Sequence, residues 1–133
     1  CLSDWSSDVC SSDLTASGVV IILGECEEGS GSAQYEKMMQ QCGTPEAVEA
    51  TVRQDFQIGA HKAYAVTRLM NKAEFILVSG MDPDFARMLL FTPAKDMQEA
   101  LALAYAKLGP APSITLMPMG SLTVPRLVSG GAD

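Results

Sequence analysis

Residues 19–23, VVIIL, are the most constraining stretch of the chain: five consecutive aliphatic residues, four of them β-branched. A run of that length is strand-sized, and its lack of alternation marks a strand buried on both faces, as in a parallel sheet. It leads into a glycine-rich stretch, residues 24–32 (GECEEGSGS), after which helical patterns begin. A strand, a glycine turn and a helix in that order are the first half of a β-α-β unit.

The rest of the sequence repeats the alternation. Residues 33–41 read as a short helix closed by Gly43. Thr44-Pro45-Glu46 is a start signal, with Thr as N-cap and Pro at the first helical position, for a helix to about Arg53. In residues 59–72, Ala60, Ala63, Tyr64, Thr67 and Met70 recur at helical spacing, with Lys62 and Arg68 off that stripe. Residues 74–79 (EFILVS) predict a second strand, and Asp82-Pro83 opens a short helix. Asp96 begins a variant capping box ahead of a stripe of Met97, Ala100, Leu101, Ala104 and Leu108, stopped by Gly109-Pro110. Residues 113–117 (SITLM) predict a third strand, closed by Pro118 and Gly120. The expected fold class is α/β, a small mostly parallel sheet with flanking helices, truncated at its N-terminus.

Residues 1–14 break with this pattern. They repeat Ser-Ser-Asp and hold the only Trp, Trp5. They lack the basic and apolar regions of a signal peptide. Residues 4–14, DWSSDVCSSDL, coincide at every position with the translation of a common short-read sequencing adapter. The expectation is a non-native, unordered tail over 1–14, a domain over 15–128 whose native sequence starts near Thr15, and a loose tail over 129–133.

Composition narrows the partners. Nine Lys and Arg against sixteen Asp and Glu give a net charge of −7. That leaves no electrostatic footprint for nucleic acid or an anionic membrane, and no apolar run approaches a membrane span. Outside the tail only Cys26 and Cys42 remain, too few for a disulfide framework or a zinc motif, so a reduced, cytoplasmic setting is expected.

The candidate site residues cluster in two places. Gly29-Ser30-Gly31 stands between a strand and a helix, where backbone N–H groups can hold an anion. The same glycines serve equally as a plain turn: the dinucleotide fingerprint is incomplete at Gln34, and Glu25, Glu27 and Glu28 oppose a phosphate. His61, the only histidine, and Lys62 fall in the first turn of a helix, where a cation opposes the macrodipole unless an anion stands in front. A structural histidine and a solvated lysine are the plainer alternatives. One histidine and scattered carboxylates assemble no nucleophile, acid–base pair or metal site.

Three stretches, ILGECEEGSGSAQYEKM (22–38), FQIGAHKAYAVTRLMNKAEFILVSGMDPDFARML (56–89) and SITLMPMGSLTVPRL (113–127), taken in order, resemble the C-terminal domain of nickel-dependent lactate racemase-like proteins. The resemblance implies a parent enzyme that isomerises lactate or a related 2-hydroxy acid with a nickel-pincer nucleotide. In that chemistry the cofactor takes the α-hydride while a histidine removes the hydroxyl proton. It also implies that the nickel ligand, the lysine that anchors the cofactor and the catalytic histidines belong to an N-terminal domain missing here. This chain would then form one wall of the active site between the domains, hold no cofactor and be inactive by itself. Lys62 matches a lysine facing substrate or cofactor, with Gly59 and His61 on the same helix start and Gly29 and Gly31 on the adjacent loop. No metal ligand and no catalytic residue is expected here. Two rivals are a stand-alone nucleotide- or anion-binding module, resting on the glycine turn, and an oligomerising domain, resting on exposed-looking Met38, Met39, Met117 and Met119.

Overall fold

The computed structural model describes residues 18–54 and 60–120; of Gln54, Ala60, His61 and Lys62 only the backbone is described. The strands are β1 (Gly18–Leu23), β2 (Ala73–Val78) and β3 (Thr92–Ala94), and the helices α1 (Ala33–Cys42), α2 (Pro45–Gln54), α3 (Ala60–Met70), α4 (Pro83–Met88) and α5 (Met97–Leu108). All pairing is parallel, in the order β1-β2-β3, with Gly18 opposite Ala73 and Ile76 opposite Thr92. The chain adopts the α/β class that its alternating pattern predicts.

Strand periodicity sorts the core into two layers. Ala73, Phe75 and Leu77 of β2, with Val20 and Ile22 of β1, face a cluster built by α1–α4 around Tyr35, Met39, Val48, Ala63 and Ala86. Ile76 and Val78, with Val19 and Ile21, face the opposite side, where α5 lays Met97, Ala100 and Ala104. The small side chains of Ala100 and Ala104 are both buried and bring that helix close to the sheet.

The helix starts are local chemistry. Ser32, Asp82 and Asp96 each accept a backbone N–H of the first turn, and Thr44 Oγ1 accepts from Ala47 at 3.3 Å. Glu99 reaches back to the N–H of Lys95 at 2.8 Å while its own N–H bonds Asp96, a reciprocal cap displaced by one residue from the usual box. Gly43 ends α1 in the left-handed conformation, φ 68°.

Three expectations are corrected. The third strand is Thr92–Ala94, and residues 113–117 lie outside the sheet with Ile114 63% and Leu116 77% exposed. Alternating apolar residues measure how well a segment would fit a pleated, half-buried surface, and here no strand pairs with it. Met39, taken from sequence as exposed, is completely buried in the α1–α4 layer, whereas Met119 is exposed. Leu108, at the end of the α5 stripe, is 37% exposed, so the buried part of that stripe is carried by Ala100 and Ala104.

Candidate functional site at the carboxyl end of the sheet

In an open parallel sheet, ligands bind beyond the carboxyl ends of the strands. Here that end carries residues 24–32 after β1, residues 79–82 after β2, and the approach to α5 after β3. Only Asn71 and Lys72 separate α3 from β2, so α3 runs back along the sheet. Its first turn, with His61 and Lys62, therefore stands on the carboxyl-end side. The topology thus brings Gly29, Gly31 and the backbone of His61 and Lys62 to one end of the domain. The side chains of His61 and Lys62, and Gly59 altogether, lie outside the described residues.

The glycine-rich loop is held by its own groups. Gly29 (φ 66°) and Gly31 (φ 73°) are left-handed. Those turns swing the Ser30 N–H onto the Glu36 carboxylate at 3.1 Å, with the Ser30 hydroxyl on the same oxygen at 2.7 Å. The Ser32 N–H donates to Ser30 Oγ at 3.1 Å, and the N–H groups of Gly29 and Gly31 donate to the carbonyls of Cys26 and Glu28. All four amides from 29 to 32 therefore have partners in the loop or, for Ser30, in the first turn of α1. The carboxylate of Glu36 occupies the place an external anion would take. Gly29 is also pinned sterically: a Cβ there would lie 3.1 Å from Glu36 Oε1 and 3.6 Å from the Phe85 ring of α4.

Ser30 and Glu36 are the residues that sequence reasoning missed. The available signal was a serine two residues before a helix cap, with a glutamate in the first turn of that helix.

Around this loop the titratable groups are structural. Burial pushes the Cys26 thiol up, and Cys26 itself is left-handed at φ 52°. Burial likewise pushes the Tyr35 phenol up, and its hydroxyl donates to the Leu89 carbonyl at 3.1 Å, tying α1 to the end of α4. Among the described residues no three His, Cys, Asp or Glu side chains could hold a metal ion, so they do not fit a nickel site. Nor is any described helix long and apolar enough to cross a membrane.

A two-layered helical covering of a short parallel sheet, with loops gathered at its carboxyl end, defines a small α/β domain. The sequence matches the lactate racemase C-terminal domain family over residues 8–124, and the chain belongs to that family. Among solved structures it is similar to the lactate racemase apoprotein from Thermoanaerobacterium thermosaccharolyticum, with a TM-score of 0.74 and 24% identity. That similarity covers 84% of this chain and 28% of the other. The present chain thus spans little more than a quarter of that protein. No match is found among curated proteins.

Proposed function

We propose that the chain is the carboxyl-terminal part of a racemase or epimerase of lactate or another small 2-hydroxy acid, dependent on a nickel-pincer nucleotide and acting in the cytoplasm. Membership of the lactate racemase C-terminal domain family over residues 8–124 carries this reading. In this reading the nickel cofactor belongs to an amino-terminal domain, and this chain, matching the C-terminal domain family, forms one wall of a site between the two. By itself it is inactive.

Within that wall Lys62 is the binding group. A 2-hydroxy acid presents a carboxylate, and an ammonium in the first turn of a helix meets it together with free backbone N–H groups. Gly59 and His61 line the same helix start. Gly29 and Gly31 contribute shape, because their amides are used within the loop. That same saturation takes the support from a stand-alone anion-binding module, which needs those amides free.

The test is chiral analysis of D- and L-lactate. The 133-residue chain should interconvert neither. The chain joined to its upstream coding region and loaded with cofactor should interconvert both. In that enzyme Lys62→Ala should raise KM at least about tenfold, the loss expected for one charge-assisted hydrogen bond. Racemisation by the chain alone would overturn the shared-site reading, and an unchanged KM in Lys62→Ala would remove the role of Lys62.

A further inference from the structure

β1 has the sequence of an interior strand and the position of an edge strand. Its aliphatic run should be buried on both faces, yet none of its residues is fully buried and Leu23 is 60% exposed, while most of β2 is buried. Among the described residues nothing pairs with the side of β1 away from β2. The Gly24 N–H donates to Val78 across the β1–β2 pair. By alternation the N–H groups of Val20 and Ile22 also point at β2, and those of Val19, Ile21 and Leu23 point at the open edge.

The crossovers say where a further strand belongs. The helices between β1 and β2, and α4 between β2 and β3, all lie on one face of the sheet, whereas α5 lies on the other. Parallel crossovers are right-handed almost without exception. A change of face therefore requires the strand after α5 to lie back past β1, not beyond β3. α5 packs across all three strands in that direction. The outer edge of β3 is in any case a poor template, being three residues long with Pro93 in the middle.

Residues 113–117 are the segment that follows, alternating and unpaired, with Ile114 and Leu116 on one side of an extended chain and both exposed. Residues 109–112, with Pro110 and Pro112, reach roughly 13 Å when extended, and α5 already contacts β1, so they need not span the sheet from β3.

We propose that residues 113–117 dock as a fourth strand, parallel to the free edge of β1, in the order 113–117, β1, β2, β3. Docking places residues 118–120 beside the loop of residues 24–32 at the point where strand order reverses, which is where such sheets bind ligands. That consequence rests on the reading of the carboxyl end as the site; the strand itself does not.

Amide hydrogen exchange of the full chain, resolved by residue, tests it without any ligand, so its failure is distinguishable from failure of the racemase reading. The Val19, Ile21 and Leu23 amides should be protected on the order of a hundredfold over unfolded chain, alongside Val20 and Ile22 as internal controls. Thr115→Pro should abolish protection at Val19, Ile21 and Leu23 while leaving Val20, Ile22 and Ile76 protected. The proposal is overturned if the three edge amides exchange freely in the unsubstituted chain. It is equally overturned if their protection survives Thr115→Pro, or if it depends on protein concentration, which would mean that a second copy covers the edge.

Discussion

A serine side chain is rarely buried without partners, because a hydroxyl withdrawn from water must be hydrogen-bonded. Ser30 meets that requirement through Glu36 and Ser32 and fixes the loop after β1. Ser30→Ala leaves a carboxylate oxygen short of a donor and should cost about 1–2 kcal/mol in urea denaturation. Gly29→Ala adds the strain of a left-handed residue with a Cβ, and should cost about 1–2 kcal/mol or more. At the far side of the sheet, Lys107 Nζ lies 2.8 Å from Glu74, and that hydrogen bond, helped by Thr92, holds the carboxyl below its ordinary 4.5 despite partial burial. A depressed carboxyl stabilises the fold above its unfolded value and loses that contribution as pH falls through its folded one. Lys107→Met should therefore cost a few tenths of a kcal/mol, up to about 1, at pH 7. The difference from the unsubstituted protein should shrink as pH falls below the carboxyl's ordinary 4.5 and through its lower folded value, as read from denaturation across that range.

At the scale of elements, the helix boundaries depend on neighbours in sequence. Asp82 caps α4 through two N–H groups at 3.0 Å with Pro83 behind it, and Asp82→Ala should cost about 1 kcal/mol of thermal stability. This is why the starts of α2, α4 and α5 were legible: cap, proline and stripe lie within a few residues of one another. β3 was not, since three residues, one of them proline, carry no period and owe their strand geometry to β2. Residues 113–117 show the converse, a strand-like pattern that lies outside the three-stranded sheet and that only the proposed docking onto β1 would realise. The glycine loop was legible only as a choice between turn and anion site. The left-handed angles of Gly29 and Gly31 decide where each amide points, and their spacing does not encode it. Tight helix–sheet contact through Ala104 gives a further check: Ala104→Leu should overpack the α5 layer and lower the denaturation midpoint by the equivalent of about 1–3 kcal/mol.

At the scale of the whole molecule, the sheet joins strands that are very unequally separated along the chain. Ile76 pairs with Thr92 across a single short helix, whereas Gly18 pairs with Ala73 across three. Closing the longer loop costs more chain entropy before any contact repays it. In kinetic terms, β2, α4 and β3 should assemble early and β1 should join late. Substitutions in the β2–α4–β3 unit, such as Ala86→Gly, should slow folding, and Ile21→Val in β1 should chiefly speed unfolding. The alternating chain that makes the fold readable from its sequence thus also sets the order in which its parts come together, with the strand that leads into the glycine loop arriving last.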